Sequence, residues 1–259
     1  MNREEVFNRT ALLTGRDILE KFTLLRVIIF GIGGVGSWAA ETFVRSGFTR
    51  LTLVDADRIA ASNINRQLPA TSSTIGEIKV EAMRQRLLDI NPDAEITAVH
   101  AFYSKETQDD YDLTSYDIVI DAIDSLADKA LLILNATRAM AATAGSDRPV
   151  HFYSSMGAAL KTDPSRIATA EFWKVKGCPL AAALRRRFKK SGLFPARKFK
   201  CVYSDELVRN HPDADSMTDR SGAMTFNKVA VNGAFMHITA IFGITLASLA
   251  IRDFVNRKA

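Results

Sequence analysis

Residues 30–38 read FGIGGVGSW, directly after the apolar run LLRVII. RVIIFG (26–31) is a continuous β-branched run, the pattern of a strand buried on both faces. Gly31, Gly33, Gly34 and Gly36 then satisfy G-x-G-x-x-G, and residues 34–47 carry a helical pattern ending near Gly47. Strand, glycine loop and helix in that order form a phosphate-binding turn. The glycines permit the tight turn and close backbone approach, and the helix N-terminus offers free N–H groups to an anion. The loop alone does not choose between a dinucleotide cofactor and ATP.

Outward from this loop, strand and helix signals alternate. RLTLVDAD (50–57), EITAVHAF (95–102), YDIVIDAID (116–124) and PVHFYSSM (149–156) read as strands; residues 75–92 and 125–144 read as helices. Such alternation predicts an α/β fold, a Rossmann-like, doubly wound, mostly parallel sheet, because parallel neighbours need crossover connections. After Met156 the pattern becomes irregular: a short strand pair around 158–171, a helix over 178–190, a basic loop, CVYSDE (201–206) and a polar segment to Arg220. We read residues 1–259 as one domain, a nucleotide-binding core over 1–156 with a C-terminal elaboration over 157–259.

Residues 55–79 decide the nucleotide. DADRIAASNINRQLPATSSTIGEIK places Asp55, Asp57, Asn63, Asn65, Arg66, Gln67 and Lys79 just beyond the second strand. A dinucleotide site needs one acidic residue there for the ribose; amides, an arginine and a lysine suit a triphosphate, whose charge must be held by fixed donors during transfer. Asp124 ends another strand at the same edge, and a carboxylate beside polyphosphate is a ligand for Mg²⁺. The predicted cofactors are therefore ATP and Mg²⁺.

G-x-G-G-x-G, D-x-D, S-N-x-x-R-Q, G-x-x-K and D-x-x-D, in this order and spacing, resemble the adenylyltransferases of the ThiF, MoeB and HesA kind, relatives of ubiquitin-activating enzymes. The resemblance implies attack of a carboxylate on the α-phosphate of ATP, giving an acyl-adenylate and pyrophosphate. It implies that Asp55 holds the ribose, Asn63 and Arg66 the phosphates, Lys79 the charge at the α-phosphate, and Asp124 Mg²⁺. It also implies that Arg9, in FNRTALLTG, enters the partner subunit's active site in an obligatory homodimer. Many members carry a structural zinc on two CxxC pairs. The two cysteines here, Cys178 and Cys201, stand apart, so no zinc is expected, and two small buried thiols are the simplest reading.

The N-x-N-R-Q form of the motif, VIDAID-S, D-P-S-R-I (163–167), PLAAALRRRF (179–188) and VYSDE (202–206) further resemble the threonylcarbamoyladenosine dehydratases, the branch that acts on transfer RNA. This likeness implies adenylylation of the N6-threonylcarbamoyl carboxylate at adenosine 37, then ring closure by the modification itself with loss of AMP. An adenylyltransferase for a ubiquitin-like sulfur carrier is the alternative, and a sulfur-relay protein would be a further partner.

Charge supports a polyanionic partner. The net charge is +5, yet RRRFKKSGLFPARKFK (185–200) holds eight cations and no acid; without them 26 basic residues face 29 acidic ones. Arg185, Arg186, Arg187, Lys189, Lys190, Arg197, Lys198 and Lys200 are the expected RNA contacts, with Phe188, Phe194 and Phe199 available to stack on bases. The N-terminus lacks an apolar leader, which together with scarce cysteine predicts a cytoplasmic protein. VAVNGAFMHITAIFGITLASLAI (229–251) carries no formal charge and has the length of a membrane span. Asn232, His237, Gly233 and Gly243 argue instead for two consecutive helices in the core or at the dimer interface, with His237 a satisfied interior histidine.

Overall fold

The computed structural model describes residues 3–212 and 232–256. Residues 213–220 of the polar segment and 229–231 of the apolar run lie outside them. One seven-stranded sheet has the order β3-β2-β1-β4-β5-β7-β6. Its strands are β1 (Arg26–Phe30), β2 (Arg50–Val54), β3 (Glu95–Val99), β4 (Ile118–Asp121), β5 (His151–Ser155), β6 (Ile167–Glu171) and β7 (Lys200–Ser204). Every pairing is parallel except β6 on β7, where Ile167 faces Ser204 and Glu171 faces Lys200.

The helices are α1 (Arg3–Val6), α2 (Asn8–Thr14), α3 (Arg16–Leu24), α4 (Gly36–Arg45), α5 (Lys79–Ile90), α6 (Leu126–Ala142), α7 (Pro179–Ser191) and α8 (Met236–Val255). The alternation of strand side chains sorts the core into two layers. Val27 and Ile29 of β1 join Phe43 of α4, Met83 of α5 and Phe242 and Leu246 of α8 on one face. Ile28 and Phe30 join Leu132 of α6 and Leu184 and Phe188 of α7 on the other. Both faces of β1 are covered, which is why its sequence is apolar without alternation.

The second half departs from expectation in two ways. Instead of a strand pair within 158–171, β6 alone forms there and pairs with the distant β7. Instead of two C-terminal helices, α8 runs unbroken through Gly243. A Cβ at Gly243 would lie 2.3 Å from the Val35 carbonyl and 2.8 Å from Cβ of Trp38, so this glycine lets α8 press against α4. The α8 segment has a mean hydropathy of 1.7, and 56 % of that window is buried against the protein's own core. Long and apolar enough to cross a membrane, it is here a core helix.

Candidate active site

The chain reverses direction across the sheet between β1 and β4, and a crevice forms outside the carboxyl ends of such strands. Gly31 bridges it. Its φ of +87° is the left-handed region that glycine alone enters readily, and a Cβ there would lie 2.7 Å from the Ala122 carbonyl after β4. Gly36 opens α4 against the loop itself, since a Cβ would fall 1.7 Å from the Gly31 carbonyl. Gly34 is wedged between Thr239 of α8 and the stem of Arg66, whereas Gly33 meets only the Gln67 amide, at 3.8 Å. The loop is thus packed tightly on two sides and relatively open at Gly33.

The first turn of α4 anchors the segment that follows β2. Ser37 Oγ donates to the Gly33 carbonyl at 2.7 Å and accepts from the Leu68 N–H at 3.3 Å. Trp38 Nε1 donates to the Arg66 carbonyl at 3.3 Å. Asn63 Oδ1 accepts from the Ala60 N–H at 3.1 Å and caps a short 3-10 turn; Asn65 Nδ2 donates to the Ala234 carbonyl at 3.1 Å, tying the motif to the approach of α8. Arg66 Nη1 donates to the Ser62 carbonyl (2.9 Å) and to Asn65 Oδ1 (2.8 Å). Burial lowers the Arg66 pKa, and the nearby Asp124 charge opposes that shift. The Asp124 charge is therefore close enough to be felt at Arg66.

Asp55 and Lys79 form its floor. The second strand stops at Val54 and not at the expected residue 57. The Asp55 N–H still donates to the Val99 carbonyl of β3 at 3.2 Å, while its carboxylate is engaged elsewhere: Oδ2 accepts from the Ile32 N–H in the glycine loop at 2.7 Å, and Oδ1 from the Asp57 N–H at 2.9 Å. Lys79 opens α5 with its side chain only 3 % exposed, and Nζ lies 3.1 Å and 3.3 Å from the two Asp55 oxygens and 2.8 Å from Asp57 Oδ2. Burial is the largest single influence on this ammonium and works against it. The two carboxylates together outweigh it and hold the Lys79 pKa above the ordinary lysine value. A buried, permanently charged cation therefore stands under the loop.

A further network, absent from the sequence reading, supports Asp124. Asp121 ends β4 fully buried, paired with the equally buried Lys129 at 2.8 Å. Ser154 Oγ donates to its Oδ2 at 2.6 Å, the Ile123 N–H donates to its Oδ1 at 3.1 Å, and Lys129 Nζ donates to the Ile123 carbonyl at 2.8 Å. Burial pushes the Asp121 pKa up against the pull of Lys129. The clamp fixes residues 121–123 and so the position of the exposed Asp124. The available signal was a carboxylate closing the apolar IVID run, with a lysine one helical face away in LADKALLI.

The remaining expected residues are dispersed. Arg9 is exposed on α2 and does not enter its own chain's crevice; the neighbouring Phe7 packs near Gly47, which precedes β2 at the amino edge of the sheet. Cys178 and Cys201 are both buried in the α6–α7 core, and burial drives the Cys201 thiol far above its usual pKa. His237 is exposed, not interior, with Nε2 3.1 Å from the Thr162 carbonyl. In the basic segment Phe188 and Phe199 are 1 % and 3 % exposed and pack on Phe172, which removes them as stacking rings; Phe194 remains 53 % exposed. Arg185 donates to the Phe172 carbonyl at 3.1 Å, and Lys200 pairs with Asp253 at 2.6 Å, so both are structurally engaged. Arg186, Arg187, Lys189, Lys190, Arg197 and Lys198 are exposed, and among the described residues none has an ion-pair partner.

No group of three or more metal-ligating side chains is assembled among the described residues. A carboxylate at the strand ends, as Asp124 is, suits a Mg²⁺ that arrives with a triphosphate, since this ion keeps phosphate oxygens and water as its other ligands. The residues fit that role and not that of a resident metal cage.

Known proteins resemble this chain over nearly its whole length. A tRNA threonylcarbamoyladenosine dehydratase of Haemophilus influenzae is 37 % identical, with 100 % of this chain and 96 % of the relative aligned. One of Bacillus subtilis is 38 % identical over 96 % and 94 %. The crystal structure of the Escherichia coli dehydratase TcdA in complex with ATP superposes with a TM-score of 0.79 at 32 % identity, covering 97 % of this chain and 94 % of that one. With the glycine loop, the Asp55–Lys79 floor, Arg66 and Asp124 set about one switch point, and with the ThiF family model matching residues 7–257, the chain belongs to the ThiF family.

Proposed function

We propose that the protein is an ATP-dependent tRNA threonylcarbamoyladenosine dehydratase, a cytoplasmic homodimer that cyclises N6-threonylcarbamoyladenosine at position 37. The observation that carries the reading is the buried Lys79 ammonium, held charged by Asp55 and Asp57 beneath a glycine loop that is relatively open at Gly33. That arrangement serves negative charge growing on phosphate, and it offers nothing to a hydride. The full-length match to dehydratases extends the reading to the RNA substrate.

In this mechanism the glycine loop and the first turn of α4 receive the phosphates. Arg66 and Lys79 stabilise charge at the α-phosphate as the substrate carboxylate attacks it, and pyrophosphate leaves. Asp124 would hold the Mg²⁺ that comes with the nucleotide, and the ion when bound would neutralise charge on the polyphosphate. The carbamoyl group next to the activated acyl carbon then closes a five-membered ring, losing a proton as AMP departs. The second step needs no protein nucleophile, because intramolecular attack already has the orientation advantage. The buried thiols of Cys178 and Cys201 accord with that economy.

The dimer supplies what the single chain lacks. Leu12 and Leu13 on α2 are 82 % and 86 % exposed beside Arg9, an apolar face suited to burial against a second copy. Arg9 would then reach the partner's crevice. The test is digestion and mass analysis of modified tRNA incubated with ATP·Mg²⁺. The reading expects a nucleoside lighter by one water, formed by the natural protein and not by Asp124→Ala of unchanged thermal stability. Activation of a carrier protein's C-terminus, with the tRNA left untouched, would overturn it.

A further inference from the structure

The one exposed phenylalanine of the basic segment has an aromatic neighbour. Trp173, 39 % exposed, lies with its ring 6.2 Å from that of Phe194 at a tilt of 42°. The tilt keeps the rings from stacking on each other, and both residues stay well exposed. Trp173 is held from beneath: it meets the buried Phe172 edge to face at 5.2 Å, and Phe172 is in turn stacked on Phe199 at 5.1 Å. Phe194 is delivered by Gly192, which ends α7 in the left-handed region at φ +71° and turns the chain back. Between Phe172 and Ser204 the sequence has no Asp or Glu. Exposed aromatic rings in a field of unpaired cations are the recognition chemistry of single-stranded nucleic acid, where cations follow phosphates and rings stack on bases.

The location matters. Phe172 follows Glu171, which pairs with Lys200 at the start of β7, and β7 runs parallel to β5. The aromatic pair therefore sits at the amino edge of the sheet, while the adenylation crevice lies at the carboxyl edge. At least the length of β7, roughly 13 Å, separates the two ends. One nucleotide cannot occupy both.

We propose that Trp173 and Phe194 form a stacking platform for an unpaired base of the RNA substrate, distant from the nucleotide being modified. The proposal rests on the reading of the substrate as RNA. The platform grips RNA and takes no part in chemistry; Arg186, Lys189 and Lys190 hold the flanking phosphates.

The experiment measures tRNA affinity, its salt dependence and ATP affinity for the full-length protein and for Trp173→Leu, Phe194→Leu and Trp173→Phe. Each leucine variant is expected to weaken tRNA binding by about 5- to 150-fold, the worth of one stacked base. The slope of affinity against salt should not change, because no charge is removed. ATP affinity should stay as it was, and Trp173→Phe should recover most of the binding. A second variant, Arg186→Ala/Lys189→Ala/Lys190→Ala, separates the two levels of the argument. If it weakens and flattens tRNA binding while the leucine variants bind normally, the platform is wrong and the RNA reading stands. If neither set alters tRNA binding, the basic face does not bind RNA at all. Altered sedimentation of Trp173→Leu with unchanged RNA affinity would make the rings a contact between copies and overturn the platform.

Discussion

Truncating Lys79 to alanine separates a structural from a catalytic role, because the geometry predicts different magnitudes for each. Breaking a buried ion pair costs about 3–5 kcal/mol when the surviving charge has no other partner. Here Asp55 keeps two main-chain donors, Ile32 N–H at 2.7 Å and Asp57 N–H at 2.9 Å, and Asp57 is half-exposed. The stability loss should therefore fall nearer 1–3 kcal/mol, measured by urea unfolding. Catalysis should suffer more. Removing one fixed donor from a developing oxyanion typically costs about 10²–10³-fold, or about 2.7–4 kcal/mol of barrier. AMP formation per folded molecule, assayed with modified tRNA at saturating ATP, should drop by that factor while ATP affinity changes less. The ammonium is held above the ordinary lysine pKa of 10.5, so its contribution to stability is complete below that pH and is lost only as pH rises through the raised value. Neutral-pH profiles should accordingly show no alkaline limb from Lys79. Turnover within about twofold of the natural protein, accompanied by a stability loss, would refute the catalytic role and leave Lys79 a strut for Asp55.

Other expectations follow from the same geometry. If Arg9 acts across a two-fold interface, Arg9→Ala and Asp124→Ala homodimers should both be inactive, yet an equal mixture after subunit exchange should recover roughly a quarter of natural activity; no recovery would place both residues in one chain's site, and an active Arg9→Ala homodimer would give Arg9 no role. Lys129→Ala should cost about 3 kcal/mol in urea unfolding, because Asp121 keeps its Ser154 and Ile123 donors but loses its paired cation in a site closed to solvent; a loss under 1 kcal/mol would contradict the clamp under Asp124. Glu206 accepts from the Asp163 N–H at 2.9 Å, the Thr162 hydroxyl at 2.7 Å and the Thr162 N–H at 2.8 Å, which bring its pKa down to about 2. Its contribution is present above pH 4.5 and disappears as pH falls toward 2, so the stability gap between the natural protein and Glu206→Gln should be constant above pH 4.5 and close below it. A gap unchanged down to pH 2 would sink that assignment.

Legibility in the sequence followed the range of the forces involved. Strands β1 to β5 and the glycine loop were readable because each declares itself within a few residues, through apolar runs and turn glycines. The switch-point crevice then followed from topology, and with it the neighbourhood of Asp55, Arg66, Lys79 and Asp124. What failed was non-local. The β6–β7 pairing reaches from Ile167 to Ser204 and from Glu171 to Lys200, and no periodicity in 158–171 encodes its partner. Gly243 reads as a helix break in isolation and becomes a contact point only once α4 is beside it. Phe188 and Phe199 share a basic segment with Phe194 but face the core, a distinction that depends on where Phe172 lies. Trp173 escaped notice for the same reason, since its meeting with Phe194 is tertiary.

The account turns on a carboxylate attacking the α-phosphate of ATP in this crevice. Transfer RNA whose threonylcarbamoyl carboxylate carries ¹⁸O, incubated with the protein and ATP·Mg²⁺, tests that directly by mass analysis of the released nucleotide. The account predicts AMP bearing one labelled oxygen, the bridging atom of the acyl-adenylate, formed in step with the cyclised nucleoside. Unlabelled AMP, or ADP with the label in free phosphate, would contradict it.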